Sequence, residues 1–337
     1  MKAVGYVESL PIADERSLLD FDAPEPAPRP RDLVVRVKAI SVNPVDTKVR
    51  MRGQGTKEAP AILGWDAAGV VESVGADARL FKPGDEVFYA GSLTRPGANS
   101  ELHAVDERIV GPKPATLGFA EAAALPLTSI TAWEALFDRL RAPITKAGAG
   151  GALLIVGAAG GVGSIATQLA RKLTNLTVVG TASRPESEAW VKARGAHHVI
   201  DHRKPLAEEL KRIGLPLVER VFALTQTDKH WTDIAAAIAP QGSVCVIDDP
   251  VGIDVNLLKR KSAALCWEFM FTRSMFETPD MAAQHHLLTE ISALVDAGVI
   301  ATTLGEHFGP INAANLRRAH AAIEGGRAIG KIVLEGF

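Results

Sequence analysis

The stretch that decides the fold of this chain is LLIVGAAGGVG at residues 153–163. It opens with four consecutive apolar residues, which is typical of a strand covered on both faces. A glycine-rich turn follows, and residues 164–173 then place apolar side chains at helical spacing. Residues 177–181 favour a strand again. Strand, glycine turn, helix and strand in this order indicate the first βαβ unit of a dinucleotide-binding domain.

The glycine turn supplies the first candidate cofactor ligands, which include Val162. Gly160 and Gly161 allow the backbone to approach a pyrophosphate, and Gly163 allows close packing of the helix on the sheet. The free N–H groups and the positive dipole end of the helix attract negative charge. Ala158 stands where the G-x-G-x-x-G motif has its first glycine. An ordinary strand-to-helix loop is the alternative interpretation of this turn.

The composition is that of a globular protein with about two domains. The chain has 337 residues, of which 47% are hydrophobic, and a formal net charge of −2, so we expect neither nucleic acid nor a membrane surface as a partner. We find no signal-peptide core and no apolar run of ~20 residues, so we expect a cytoplasmic protein. Cys245 and Cys266 lie in apolar, strand-like runs, and we expect buried core thiols rather than a disulfide or a metal site.

The rest of the chain falls into two kinds of pattern. Short strands separated by turn signals predict a small barrel-like β domain through about residue 114. After residue 119, helices and strands alternate, which predicts an α/β fold with a doubly wound parallel sheet. A helix at residues 281–297, a helix at 316–323 and a strand at 330–334 follow.

Several motifs in a fixed order make the chain resemble the medium-chain dehydrogenase/reductase superfamily over essentially its whole length. They are NPVD at 43–46, GWD at 64–66 with Gly69 and Gly75, GDEV at 84–87, LPLT at 125–128, GGVG at 160–163 and GKIVL at 330–334. The resemblance implies a GroES-like β-barrel catalytic domain from residues 1–126 and 273–337, and a Rossmann domain at residues 127–272. It also implies a cofactor in the cleft between the two domains.

The zinc ligands of the alcohol dehydrogenases in that superfamily are missing from this chain. The resemblance places Asn43, Trp65 and Leu127 at the ligand positions, and Trp and Leu cannot bind zinc. There is no cysteine between residues 75 and 109, so the structural zinc lobe is absent as well. We therefore predict a metal-free protein that resembles the quinone-oxidoreductase-like branch, which reduces quinones, enones or related carbonyls with NADPH.

In such a branch, hydrogen-bond donors replace the metal beside the developing oxyanion. Asn43 and Thr128 are our candidate donors, and Asp46 is the third candidate catalytic residue. A turn residue and a helix N-cap are the alternative roles of Asn43 and Thr128. Asp46 and Asp66 match carboxylates of the zinc neighbourhood, and we expect them to be hydrogen-bond partners and loop anchors.

Further contacts follow from the topology, because ligands bind outside the carboxyl ends of parallel strands. The strand-end residues that the resemblance brings near the ribose and nicotinamide are Leu224, Thr225, Ile247 and Phe269. We expect Trp65 and Phe271 to line the substrate pocket, although core packing is the commoner use of a tryptophan.

The residues after the second strand predict that the cofactor is NADPH. An NAD enzyme of this fold carries a carboxylate about 20 residues past the glycine turn for the ribose 2′-OH. Residues 181–184 contain no acid, and Ser183 and Arg184 can instead donate to a 2′-phosphate. A solvated loop residue is the alternative for Arg184. Arg327 matches an arginine of related reductases and is a further candidate for cofactor contact.

Three functions remain open at this stage, because a dinucleotide motif is common to all of them. The leading hypothesis is an NADPH-dependent reductase of a small-molecule quinone, enone or activated carbonyl. The alternatives are a zinc alcohol dehydrogenase and a nucleotide-binding protein with little turnover. We also expect residues 263–271 to form an apolar edge strand that pairs with a second copy, which predicts a homodimer.

Overall fold

The computed structural model describes residues 1–148 and 150–337, and the chain divides into two compact units. Unit 1 comprises Met1–Ile130 and Phe271–Phe337, and unit 2 comprises Thr131–Met270. Unit 1 is therefore made from two separate parts of the sequence. Within the described residues, no helix has the length and apolar character needed to cross a membrane.

The first part of unit 1 is rich in β-strands. Its elements are β1 (Lys2–Tyr6), β2 (Leu19–Asp22), β3 (Asp32–Val42), α1 (Pro44–Arg52), β4 (Ala61–Ile62), β5 (Ala67–Val74), β6 (Glu86–Tyr89), β7 (Leu102–Asp106), β8 (Val110–Pro112), α2 (Phe119–Ala123) and α3 (Pro126–Trp133). Helix α3 runs across the boundary into unit 2. It gives way to a π-helical segment at Glu134–Arg139.

Unit 2 contains the strands and helices that alternate along the chain. They are β9 (Ala152–Val156), α4 (Gly161–Leu173), β10 (Thr177–Thr181), α5 (Pro185–Ala193), β11 (His198–Ile200), α6 (Leu206–Arg212), β12 (Val218–Ala223), α7 (Thr227–Ala237), β13 (Ile238–Val246) and β14 (Ala264–Trp267). The strands form one parallel sheet in the order β11-β10-β9-β12-β13-β14. This is the order of a doubly wound dinucleotide-binding sheet. The strands up to β11 are added on one side of β9 and those from β12 on its other side, so the strand order reverses between β9 and β12. The predicted α/β fold class is confirmed.

The second part of unit 1 returns to its main sheet. Its elements are α8 (Thr272–Met275), α9 (Ala283–Asp296), β15 (Leu304–His307), α10 (Ala313–Glu324) and β16 (Lys331–Glu335). Strand β16 pairs antiparallel with β3, with Ile332 opposite Val42. Because of this register, the start of β16 lies beside the end of β3.

The last strand of the unit 2 sheet is shorter than the predicted strand at residues 263–271. The Glu268 N–H still donates to Val246 O at 3.0 Å, but the ladder then stops. The Glu268 carboxylate is buried and lies 3.0 Å from Arg139 Nε. Phe271 then becomes the N-cap of α8, so the strand cannot continue.

Candidate active site

The glycine loop lies at the carboxyl end of β9, beside the point where the strand order reverses. Gly157 adopts a φ of 86°, a conformation that favours glycine. Helix α4 begins at Gly161 with Gly160 as its N-cap, and no side chain of the described residues caps it. A Cβ on Gly160 would meet nothing nearer than Gly157 O at 3.7 Å. The loop therefore leaves room for a ligand to approach, and its helix N-terminus suits an anion.

Ala158 is fully buried, and other glycines make room for it. A Cβ on Gly163 would lie 2.5 Å from Ala158 Cα. A Cβ on Gly180, in β10, would lie 2.9 Å from Ala158 Cβ and 2.6 Å from Val191 Cγ1. The methyl group of Ala158 thus fills space that Gly180 leaves free, which explains how the loop tolerates its departure from the motif.

Ser183 and Arg184 lie just beyond the end of β10, and both are partly exposed. Arg184 is the N-cap residue of α5, where its backbone N–H donates to Ser187 Oγ at 3.2 Å. Thr181 Oγ1 accepts a hydrogen bond from Gly157 N at 2.9 Å. The structure therefore brings both predicted 2′-phosphate ligands to the sheet edge that carries the glycine loop.

The predicted contacts at the later strand ends belong to the same edge of the sheet. Leu224 and Thr225 follow β12, and a Cβ on Gly157 would lie 2.8 Å from Thr225 Cγ2. Ile247 follows β13, and Phe269 lies two residues beyond β14 with 46% of its surface exposed. Because parallel strands end at a common edge, unit 2 gathers all of these residues there.

Unit 1 contains a buried ion cluster, which we define as Asn43, Asp46, Asp66 and Lys331. The Lys331 Nζ atom donates to Asp66 Oδ2 at 2.9 Å and also to Asn43 Oδ1. Asn43 Nδ2 donates to the same Asp66 oxygen at 2.8 Å. Leu127 N donates to Asp66 Oδ1 at 2.8 Å. The Lys331 and Asp66 side chains are 3% and 0% exposed, so this is an ion pair that water does not reach.

Asn43 and Asp46 enter the cluster from the first turn of α1. Asn43 is the N-cap, Pro44 follows at the first helical position, and Asn43 N donates to Asp46 Oδ2 at 2.6 Å. These are ordinary helix-start residues, so residues 43–46 begin a helix rather than merely break the strand. Burial raises the pKa of Asp46 to about 7, although the Asn43 N–H and the Lys331 ammonium act to lower it.

Three further predicted site residues of unit 1 are also buried: Thr128, Trp65 and Phe271. Thr128 is the third residue of α3, and its Oγ1 donates to Leu125 O at 3.1 Å; it is not the N-cap that the alternative interpretation required. Trp65 is 2% exposed and donates through Nε1 to Ser92 O at 3.1 Å. Its ring meets Phe271 edge-on at 6.3 Å between centroids, so the two predicted pocket residues contact each other.

Comparisons with known proteins identify the family. The model of the alcohol dehydrogenase GroES-like domain matches residues 29–133, and the model of the zinc-binding dehydrogenases matches residues 194–334. A zinc-type alcohol dehydrogenase-like protein of Staphylococcus aureus (strain MSSA476) is 39% identical over 339 residues, which covers 99% of each chain. This chain belongs to the medium-chain dehydrogenase/reductase superfamily.

Solved structures agree with this assignment to the medium-chain dehydrogenase/reductases. A crystal structure from Rhizobium etli CFN 42, named provisionally as a zinc-dependent alcohol dehydrogenase, is 59% identical, covers 100% of this chain and 98% of its own, and has a TM-score of 0.96. Escherichia coli quinone oxidoreductase complexed with NADPH is 25% identical with a TM-score of 0.83, covering 99% of this chain and 100% of its own. The chain is thus an oxidoreductase with a GroES-like domain, from a family that uses nicotinamide dinucleotides.

The residues of this medium-chain dehydrogenase/reductase do not fit the zinc ion that its relatives' names imply. Trp65 and Leu127 stand at two of the ligand positions and offer no zinc-binding side-chain atom. At the remaining oxygens, Asn43 Oδ1 and Asp66 Oδ2, the Lys331 ammonium already supplies a positive charge. Across the described residues, no group of three or more His, Cys, Asp and Glu side chains could hold a metal ion.

The two predicted oxyanion donors both make hydrogen bonds within unit 1. Asn43 uses its amide inside the cluster, with Nδ2 donating to Asp66 and Oδ1 accepting from Lys331. Thr128 donates its hydroxyl hydrogen to Leu125 O. The Asn43 partners are remote in sequence, so local pattern could not show them, whereas the Thr128 partner lies only three residues away.

Sequence reasoning did not identify Lys331 as a site residue. A signal was present, because a lysine stands in the otherwise apolar run at residues 330–334, and buried charges require partners. Asp66, in the otherwise apolar run at residues 65–71, needed a cation. Arg327, which the sequence did suggest as a candidate for cofactor contact, lies in the exposed segment between α10 and β16.

Proposed function

We propose that this chain is a metal-independent reductase that transfers a hydride from NADPH to a quinone, an enone or a related activated carbonyl. The observation that carries this proposal is the Lys331 ammonium between Asn43 and Asp66, which supplies as a protein group the charge that a metal would bring. The similarity to quinone oxidoreductases supports it, and one of these, from Mus musculus, is 37% identical over 187 residues covering 55% of this chain and 54% of its own.

The chain's own residues have distinct parts in this proposal. Bound NADPH supplies the hydride, and protein donors stabilise the negative charge on the substrate oxygen. Thr128 is the best-suited donor, because a hydroxyl hydrogen can rotate away from Leu125 O toward an oxyanion. Asn43 and Asp46 are positioning residues that hold the Lys331 charge in place.

The substrate class in this proposal follows from the site's chemistry. Without a metal to act as a Lewis acid, a carbonyl conjugated to a ring or a double bond is easier to reduce than an isolated one, because the developing charge is spread over several atoms.

The function is tested by steady-state turnover together with zinc analysis of the same preparation. We expect NADPH-dependent reduction of quinones and α,β-unsaturated ketones, little oxidation of simple alcohols, and substoichiometric zinc. A zinc chelator should leave the turnover unchanged. Stoichiometric zinc with chelator-sensitive alcohol oxidation would restore the alcohol dehydrogenase, and NADPH binding without any turnover would favour the nucleotide-binding protein.

The choice of NADPH rests on Ser183 and Arg184 at the end of β10. A charge-assisted hydrogen bond contributes about 1.5–3 kcal/mol, so Arg184→Ala should weaken NADPH binding by about 10- to 150-fold. NADH binding should barely change, because NADH lacks the 2′-phosphate. Titration of both cofactors by fluorescence measures the two affinities.

The matched control for this titration is Arg212→Ala. Arg212 is the last residue of α6, which leads away from the carboxyl edge of the sheet, and its guanidinium is paired with Glu209 at 2.9 Å. The Arg212→Ala change also removes one guanidinium charge, and it should change neither the NADPH affinity nor the NADH affinity appreciably. Equal losses for NADPH and NADH in Arg184→Ala, or a preference of the wild type for NADH, would refute the assignment.

We also propose that the chain forms a homodimer through the edge of the sheet at residues 263–271. Strand β14 is the last in the strand order. Trp267 and Phe269 in this segment are 52% and 46% exposed, and a free apolar edge promotes association. Sedimentation of the purified protein distinguishes a dimer from a monomer.

A further inference from the structure

The two cysteines of this chain face each other on neighbouring strands of the unit 2 sheet. Strands β13 and β14 are parallel, and Cys245 is the direct register partner of Cys266. Neighbouring strands are about 4.8 Å apart, which lies within the Cα separation of about 4.4–6.8 Å that a disulfide requires. The backbone therefore already holds the two residues at bonding separation.

Both thiols project from the same face of the sheet. Side chains alternate along a strand, and Val244 and Val246 belong to the hydrophobic core on one face. Cys245 therefore points to the other face, and Cys266, opposite it in register, does the same. The Cys266 thiol donates to Val244 O in the neighbouring strand at 3.3 Å.

The two thiols differ in exposure and in charge environment. Cys245 is buried, whereas Cys266 is partly exposed, which corrects the expectation that both are core thiols. The neighbouring Cys245 thiol lowers the pKa of Cys266, and the nearby Arg139 guanidinium lowers it further. The neighbouring Cys266 thiol and burial raise the pKa of Cys245. Since the thiolate is the reactive form, Cys266 is the more nucleophilic of the two.

We propose that Cys245 and Cys266 form a reversible dithiol–disulfide pair, in which Cys266 reacts first with a peroxide and Cys245 resolves the product. The pair is independent of the proposed reductase function. It differs from an inert core pair because the register sets the two residues opposite each other and because Cys266 is partly exposed. Pairing of two copies along β14 would use the backbone edge of this strand, whereas the Cys266 side chain projects from a face of the sheet.

The chemistry balances with hydrogen peroxide as the oxidant. The Cys266 thiolate attacks a peroxide oxygen, the O–O bond breaks, and the departing hydroxide takes up a proton to become water, which leaves a sulfenic acid. The Cys245 sulfur then attacks the Cys266 sulfur, the S–O bond breaks, and the hydroxyl leaves as water with the Cys245 proton. The two sulfurs together lose two electrons and the peroxide is reduced to water. A dithiol reductant reverses the reaction.

Oxidation of the reduced, full-length protein with hydrogen peroxide tests the pair. We expect an intact mass lower by two hydrogen atoms, one non-reduced peptide that joins the two cysteines, and the loss of both titratable thiols. The rate should not depend on protein concentration, and dithiothreitol should restore both thiols.

Two single variants separate the roles of the cysteines. In Cys245→Ala, peroxide should produce a sulfenic acid on Cys266 that dimedone traps. In Cys266→Ser, the remaining thiol is buried and should resist peroxide.

The proposal is overturned if both wild-type thiols stay titratable after peroxide, or if Cys266 is oxidised to a sulfinic acid while Cys245 stays reduced. A disulfide that joins two chains, seen as a doubled mass under denaturing and non-reducing conditions, would overturn it as well. The wild-type peptide map decides the matter even if a variant fails to fold.

Discussion

Replacing Lys331 by Met tests the buried ion cluster directly, because the change removes the ammonium and keeps much of the side-chain volume. Asp66 is fully buried, so its carboxylate would lose a charge partner that water cannot replace. Three donors would remain on it at 2.8–2.9 Å, from Ser41 Oγ, Asn43 Nδ2 and Leu127 N.

The expected loss follows from the geometry of the pair. Removing one partner of a buried ion pair destabilises a protein by about 3–5 kcal/mol. Because three donors remain on Asp66, we expect Lys331→Met to lower the free energy of unfolding by about 3 kcal/mol, near the lower end of this range. The loss should be larger at about pH 8 than at about pH 5, because Lys331 lowers the pKa of Asp46 and the variant therefore ionises this buried carboxyl less easily.

Urea denaturation of four proteins, followed by circular dichroism, measures this energy as a double-mutant cycle. They are the wild type, Lys331→Met, Asp66→Asn and the double variant, which should lose less than the sum of the single losses because its cluster holds neither charge of the pair. Lys82→Met is the control, since Lys82 is 82% exposed and paired with Asp85, and it should cost less than about 1 kcal/mol. A Lys331→Met loss as small as that of the control, or additive single losses, would refute the reasoning.

Two further predictions concern Asp46 and Gly180. The raised pKa of Asp46, about 7, means that the folded protein holds this proton more tightly than the unfolded chain, so its contribution to stability is lost as pH rises from about 4 to 7. Asp46→Asn cannot ionise and should gain roughly 2–3 kcal/mol relative to the wild type between about pH 5 and pH 8, measured by urea denaturation at both pH values; a constant difference would contradict this. Gly180→Ala should destabilise unit 2 by about 1–3 kcal/mol through overpacking, and adding Ala158→Gly should recover part of the loss, because one of the two close contacts disappears. Equal stability of the single and double variants would show that the Ala158 contact is unimportant.

The fold class can be read from the amino-acid sequence, because the signals that indicate it are local. The apolar run at 153–156, the glycine turn and the helical spacing after it needed no distant residue to be recognised. The predicted strand at residues 177–181 has the bounds that the structure shows. The lack of zinc ligands at positions 65 and 127 was equally local, because the side-chain type alone excludes zinc coordination.

Only the tertiary structure decided how the site is held together. Lys331 lies 288 residues from Asn43 and 265 from Asp66 in sequence, and the pairing of β16 with β3 brings them into contact. No periodicity encodes a contact of that range. The same holds for Cys245 and Cys266, whose alignment depends on the register of two parallel strands joined by a long connection. Local patterns specify which face of a strand is buried, whereas strand order and register, set by packing of the whole chain, specify which buried polar groups meet.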